Sequence, residues 1–94
     1  MFKTLEELIV VIRQRKVSSA EESYTKKLLN DKKLSIEKVK EEIAELIDAI
    51  EKNTNKVHEA ADVLYHLMVL LEANGIKIED VMDELKKRQN DKLA

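Results

Sequence analysis

Apolar residues recur along this chain at three- and four-residue steps, which is the spacing of one face of an α-helix. Four segments show the pattern clearly, and we predict a helix for each of them. The stretch between the first two, residues 17–35, is more polar and is predicted to be a loop region with one or two helical turns at 24–30. The four predicted helices are residues 4–16, 36–52, 56–74 and 78–88.

Residues that commonly begin or end helices set these boundaries. Ser35 is a candidate N-cap of the second predicted helix, because its hydroxyl can accept a hydrogen bond from a free first-turn amide. Asn55 is a candidate cap of the third, and Gly75 follows it where a helix often ends in a positive φ. Four helices with short connections and no strand pattern predict an all-α fold, a small bundle of four main helices.

The third predicted helix is apolar on almost every side. When residues 57–71 are wound at about 100° each, the polar residues fall on one narrow stripe, formed by Glu59, Asp62 and His66. A helix of this kind is normally buried, yet ionised carboxylates are rarely buried unless they are paired or bound to a metal ion. This conflict marks Glu59 and Asp62 as candidate functional residues.

The second predicted helix carries a matching acidic edge. Glu42 and Glu45 lie at i, i+3 beside its apolar stripe, and Glu41 points nearly opposite. The short turn makes the two helices antiparallel, so both acidic pairs can face each other. Four converging carboxylates repel at low dielectric, and divalent cations would relieve that repulsion. Oxygen-only ligands suit Mg²⁺ or Mn²⁺, which can promote attack of water on a phosphoanhydride.

Simpler interpretations of these residues remain open. Glutamate pairs at this spacing are common on solvated helix faces. His58 and His66 are either donors that orient a metal ligand or structural histidines. The Glu-x-x-His pair of di-iron bundles does not occur in the sequence.

Composition narrows the class of protein. A length of 94 residues predicts one domain, residues 1–94, and the lack of Pro with a single Gly favours a helical bundle. The lack of Cys excludes disulfides and thiolate metal sites and is compatible with a cytoplasmic location. The longest apolar run, 67–71, is too short to span a bilayer. We expect neither a membrane nor nucleic acid as a partner.

Charge is unevenly distributed along the chain. Residues 1–34 carry eight Lys and Arg against five Asp and Glu, whereas residues 35–94 carry nine against fourteen. A basic segment beside an acidic bundle suits a phosphate-rich ligand held partly through metal ions. The same distribution is also typical of ordinary solvated surface.

The acidic pattern resembles that of a known enzyme superfamily. Glu41-Glu42-x-x-Glu45, followed after thirteen residues by Glu59-x-x-Asp62, resembles the signature of the MazG-like all-α nucleotide pyrophosphohydrolases. Within that superfamily the chain resembles the phosphoribosyl-ATP pyrophosphohydrolase family over residues 4–88. The blocks that carry the closer resemblance are LEEL at 5–8, Arg15-Lys16, SYTKKLL at 23–29, EAADVLYHL at 59–67 and GIKIEDVMDEL at 75–85.

The resemblance implies a reaction and a cofactor. Phosphoribosyl-ATP and water would give phosphoribosyl-AMP and pyrophosphate, the second step of histidine biosynthesis, with Mg²⁺ bound and Mn²⁺ as the alternative ion. It also implies a homodimer, which agrees with a third predicted helix more apolar than three short neighbours can cover. Three features depart from the family's usual pattern: Glu22 and Lys40 each replace a Gly, and the loop before Ser23 lacks Pro.

The resemblance further implies site residues. Glu42, Glu45, Glu59 and Asp62 would be metal ligands. Glu41 would be a ligand, a partner of a ligand or the base that activates water, which makes Glu41 and Glu42 the catalytic candidates. The candidates for holding phosphates or ribose are Arg13, Arg15, Lys16, Ser23, Tyr24 and Lys26.

Two other functions remain open at the level of sequence. The chain could be a house-cleaning pyrophosphatase of the same fold that acts on a pyrimidine or damaged nucleoside triphosphate. It could also be a non-enzymatic interaction module whose apolar helix docks a partner, with the acidic stripe supplying specificity.

Overall fold

A computed structural model describes residues 1–17 and 23–93, and this part of the chain contains helices and no strand. The predicted all-α class is confirmed, with a fifth, short α-helix in addition to the four long ones. The elements are α1 (Lys3–Val17), α2 (Tyr24–Asn30), α3 (Lys32–Lys52), α4 (Lys56–Ala73), α5 (Ile78–Arg88) and a closing π-helical turn (Gln89–Leu93).

The predicted loop region between the first two long helices is largely helical where it is described. Helix α2 begins after Ser23, whose Oγ accepts a hydrogen bond from the backbone N–H of Lys26 at 3.1 Å. The one or two helical turns predicted at 24–30 are therefore confirmed. Residues 18–22, which include Glu22, lie outside the described residues.

Helix α3 begins earlier than its apolar pattern indicates. The side chain of Asp31 accepts a hydrogen bond from the backbone N–H of Leu34 at 3.0 Å, so Asp31 is the N-cap. The prediction of Ser35 as N-cap is wrong, because Ser35 lies inside α3 and is buried there. Lys40 continues the helix without interruption, as a residue with a better helix propensity than Gly should.

A tight turn joins α3 to α4 and makes them an antiparallel hairpin. Asn53 ends α3 in the left-handed region at φ 57°, and its N–H donates to the carbonyls of Ala49 and Ile50. Asn55 precedes α4 at φ 42° but makes no side-chain cap hydrogen bond. This three-residue connection places the acidic edges of both helices side by side.

The hydrophobic core lies where α1 and α2 pack against α4. Its most buried members come from these three helices: Ile12, Leu28, Leu29, Met68 and Val69. Among the described residues, no helix is both long enough and apolar enough to cross a membrane.

The composition of α4 predicts a helix that is buried on nearly every side, but the structure leaves part of it exposed. Of its polar stripe, His66 is only 7% exposed, whereas the side chain of Asp62 is 38% exposed. Its apolar residues Val57 and Leu64 are 86% and 47% exposed instead. Helices α2 and α3 cover one side of α4, and no described segment of this chain covers Val57 and Leu64.

Candidate metal centre

The α3–α4 hairpin brings three carboxylates together. Glu42 and Glu45 lie one turn apart on α3, and Glu59 lies in the first turns of the antiparallel helix α4. One oxygen from each of the three lies within 4.8 Å of the others. The spatial convergence expected from the sequence is therefore present in the structure for these residues.

Two oxygens of this cluster are buried and have no hydrogen-bond partner among the described residues. They are Oε2 of Glu42 and Oε2 of Glu59. A buried carboxylate oxygen without a partner is costly, because it has lost water and gained nothing in exchange. The donor set consists of carboxylate oxygens only, which is what hard divalent cations prefer. The residues thus fit a divalent metal ion.

The neighbouring carboxylates change the pKa of Glu42. Burial raises the pKa of Glu42, and the hydrogen bond with Glu45 and the negative charges of Glu45 and Asp62 raise it further. The nearby His66 acts in the opposite direction and lowers the pKa of Glu42. Without a metal ion, the folded protein therefore holds a proton on Glu42 more tightly than the unfolded chain does.

We expect the metal-free protein to lose stability as pH rises above about 4.5, the ordinary carboxyl pKa. The stabilisation from the tightly held Glu42 proton is complete below that pH and is lost as pH rises through the folded-state pKa of Glu42. Thermal unfolding in EDTA between pH 4.5 and pH 8 measures this loss. In Glu42→Gln the melting temperature should fall less over the same interval, and an unchanged fall would contradict the assignment.

Asp62 belongs to a second group of donors that shares Glu59 with the first. Donor atoms of His58, Glu59 and Asp62 lie within 4.8 Å of one another. Nε2 of His58 is 3.4 Å from Oδ2 of Asp62. The four carboxylates predicted as metal ligands therefore form two overlapping groups rather than one.

Glu41 lies at the solvent edge of the site. Its Oε2 is 3.4 Å from Nζ of Lys38, one turn earlier on α3. A pocket of about 490 Å³ opens beside the carboxylates, and Glu41 and Glu59 both contribute to its wall. The remaining lining residues are Ala44, Glu45, Asp48, Ala49, Thr54 and Asn55.

His66 connects the polar stripe of α4 to α2. Its Nδ1 lies 2.8 Å from the backbone carbonyl of Asp62, and since a carbonyl only accepts, Nδ1 is the donor. Its Nε2, 3.0 Å from the hydroxyl of Tyr24, is then free to accept a hydrogen bond from that hydroxyl in the neutral ring. With both ring nitrogens engaged in a buried setting, His66 is a structural histidine that positions Tyr24.

Aromatic packing reinforces this position. The rings of Tyr24 and Tyr65 are stacked with centroids 6.4 Å apart, and Thr25 is hydrogen-bonded to the hydroxyl of Tyr65. Burial raises the pKa of Tyr24, while the positive charge of Lys38 lowers it. The N-terminus of α2 is thereby held against the hairpin that carries the carboxylates.

Arg13 and Lys16 lie away from the carboxylate cluster in this chain. The guanidinium of Arg13 donates two hydrogen bonds to Glu79, at 2.9 and 2.6 Å, and Lys16 Nζ donates to the carbonyl of Glu72 at 2.9 Å. Glu72 is thirteen residues beyond Glu59 on α4, about 20 Å along the helix. These ion pairs join α1 to α4 and α5.

The other predicted substrate residues are dispersed. Arg15 is exposed on α1, and Lys26 lines a small pocket at α2. The hydroxyl of Ser23 is occupied as the N-cap of α2.

Sequence reasoning missed Lys38, a cation that faces both Glu41 and Tyr24. Its position three residues before Glu41 and four before Glu42 was the available signal.

Comparisons with known proteins agree with one another. Residues 5–89 match the family described as phosphoribosyl-ATP pyrophosphohydrolase. The phosphoribosyl-ATP pyrophosphatase of Methylobacterium nodulans is 46% identical over 92 residues, which covers 90% of this chain and 82% of that protein. The enzyme of the same name from Haloarcula marismortui is 40% identical, covering 90% and 92%. A histidine biosynthesis bifunctional protein of Pyrococcus furiosus is 43% identical, covering 90% of this chain but 41% of that protein.

Proposed function

We propose, because this chain belongs to the phosphoribosyl-ATP pyrophosphohydrolase family, that it hydrolyses phosphoribosyl-ATP to phosphoribosyl-AMP and pyrophosphate in histidine biosynthesis. The observation that carries this proposal is the pair of buried, unpartnered oxygens of Glu42 and Glu59 within a three-carboxylate cluster. A family match over residues 5–89 would say little about activity if the acidic positions were far apart in the structure. Here they converge.

Glu42, Glu45, Glu59 and Asp62 are the proposed ligands of Mg²⁺, with Mn²⁺ as an alternative. The bound ion would neutralise phosphate oxygens and lower the pKa of a water molecule. The protein's own contribution is to hold these carboxylates close together on two packed helices, so that little reorganisation is needed when substrate binds.

Glu41 is the proposed acceptor of the proton that water loses. It is exposed at the pocket wall, where an incoming water molecule can reach it, and its Oε2 lies 3.4 Å from the ammonium nitrogen of Lys38. A base must lie within hydrogen-bond reach of the proton that it removes, and the pocket lets water lie beside Glu41.

Basic and hydroxyl groups at α2 and α3 are the proposed contacts for phosphate and ribose. Tyr24 on α2 and Lys38 on α3 are close enough for the charge of Lys38 to lower the pKa of Tyr24, and Ser23, Lys26 and Arg15 remain candidates. The ion pairs that already occupy Arg13 and Lys16 favour a different role for those two residues: they hold α1 against α4 and α5.

We also propose that the protein is a homodimer. An apolar stripe on α3 remains exposed in the single chain, with Ile43, Ile47 and Ile50 43%, 53% and 56% exposed. These residues recur at i, i+4 and i+7, so they form one continuous line on the helix. Together with Val57 on α4 they make more exposed apolar surface than a monomer commonly carries.

The proposed activity is tested by pyrophosphate release from phosphoribosyl-ATP, with dUTP and ATP in parallel assays. We expect release from phosphoribosyl-ATP only, and only with Mg²⁺ or Mn²⁺ present, because the clustered carboxylates would otherwise repel the substrate phosphates. Release from dUTP or ATP instead would show that the enzyme acts on a different nucleotide. No release from any of them by folded protein with metal present would overturn the proposal.

A further inference from the structure

The second donor group on α4 differs chemically from the first. His58, Glu59 and Asp62 offer one nitrogen and two carboxylate oxygens, whereas Glu42, Glu45 and Glu59 offer oxygen only. Imidazole nitrogen is a preferred ligand of zinc, cobalt, nickel and copper, and a poor one for Mg²⁺, which prefers octahedral oxygen. The two groups share Glu59, whose Oε2 is buried and finds no hydrogen-bond partner in residues 1–17 and 23–93.

We propose that His58 supplies a nitrogen ligand to a divalent transition-metal ion held with Glu59 and Asp62, so that this end of the site binds Zn²⁺ in preference to Mg²⁺. This inference rests on the proposed role of Glu59 and Asp62 as metal ligands. It adds a ligand and a metal preference that the all-carboxylate site does not have.

The distance between the donors fits an ion between them. Nε2 of His58 and Oδ2 of Asp62 are 3.4 Å apart. Two adjacent ligands of a tetrahedral zinc ion, each bonded at about 2.0–2.1 Å, lie about 3.3–3.4 Å from each other. His58 and Asp62 are at i, i+4 on one helix, so the backbone already holds them on one face.

The proposed site is open to solvent and leaves one coordination position of the ion free. The side chain of His58 is 74% exposed and that of Asp62 is 38% exposed, so an ion can reach them from solvent. Three protein ligands would leave one position open, as zinc sites that bind substrate or water do. A phosphate oxygen could occupy that position.

The assignment of a nitrogen ligand to His58 is unambiguous in this chain. The sequence contains two histidines and no cysteine. The other histidine, His66, already uses Nδ1 toward the Asp62 carbonyl and Nε2 toward the Tyr24 hydroxyl. Any spectroscopic sign that a histidine nitrogen binds the metal ion is therefore assigned to His58.

The experiment is a calorimetric titration of the purified full chain with ZnCl₂ in excess MgCl₂, without substrate. We expect the wild type to bind Zn²⁺, and His58→Ala to bind it at least about tenfold more weakly, since even indirect supports of metal ligands are worth 10–100-fold in affinity. His58→Glu, which replaces nitrogen by oxygen, should lose the Zn²⁺ preference without weakening Mg²⁺ binding. Glu45→Gln is the matched control and should retain Zn²⁺ binding.

A second measurement requires no variant. In ¹⁵N-labelled wild-type protein, Zn²⁺ should shift the imidazole resonances of His58 and leave those of His66 nearly unchanged. Unchanged His58 resonances, or equal Zn²⁺ affinity in wild type and His58→Ala, would overturn the inference. Because neither measurement uses substrate, Mg²⁺-dependent hydrolysis would survive that outcome. Conversely, lack of hydrolysis with intact Zn²⁺ binding at His58 would reject the proposed function alone.

Discussion

Replacing Glu42 or Glu59 by glutamine is expected to lower kcat/KM for phosphoribosyl-ATP by at least about 100-fold, the upper range for supports of metal ligands. The substitution preserves side-chain size but removes the negative charge that would bind the ion. At the same time, the metal-free variant should melt at a higher temperature than the metal-free wild type at pH 8. Each substitution removes one of the mutually repelling carboxylates, and each acts on a residue with a buried, unpartnered oxygen.

The opposite signs of these two effects make the test specific. A residue that only supports the fold would lose activity and stability together. Glu51→Gln, an exposed position farther along α3, is the matched control and should change neither quantity appreciably. The site assignment is wrong if Glu42→Gln and Glu59→Gln both keep near-normal rates in saturating Mg²⁺.

Introducing a lysine at Ile47 is expected to weaken the proposed dimer by at least about 100-fold in Kd. Ile47 lies in the middle of the exposed stripe on α3, and its replacement would force an ammonium group into an apolar interface without a partner. Sedimentation equilibrium should give twice the 10.9 kDa chain mass for the wild type and a single chain for Ile47→Lys. Its helical circular dichroism should be unchanged, because the residue is already half exposed in one chain.

A second apolar surface provides the control for this experiment. Residues of α1 and α5 line a groove of about 720 Å³ that includes Phe2, Ile9 and Met82, the last of these 49% exposed. Met82→Lys should leave the dimer intact. Dissociation by Met82→Lys but not by Ile47→Lys would place the interface at this groove, and a wild-type monomer at micromolar concentration would reject the dimer.

The helical pattern was predictable because it is a local property of the chain. Apolar spacing defined the four long helices and the all-α class, since one face of each must leave water. The start of α3 was not predictable in this way. Both Asp31 and Ser35 are good capping residues, and the structure places Asp31 at the N-cap and buries Ser35 inside α3.

The acidic site was partly predictable for a related reason. The i, i+3 spacing of Glu42 with Glu45, and of Glu59 with Asp62, places each pair on one side of its helix. The short turn at residues 53–55 then requires the helices to lie antiparallel. The division into two overlapping groups that share Glu59 depends on helix rotation and side-chain reach, which spacing alone does not determine.

The sequence by itself determined the helices, the acidic pairs and the family resemblance, because each of these depends on residues close together along the chain or on a matching order of residues. The tertiary structure decided which side of α4 faces inward. Helix α4 turns His66 inward and leaves Val57 and Leu64 exposed, since α2 offers Tyr24 as a hydrogen-bond partner. The tertiary structure also decided that Arg13 and Lys16 pair with Glu79 and Glu72, because contacts between residues more than fifty positions apart depend on how whole helices pack.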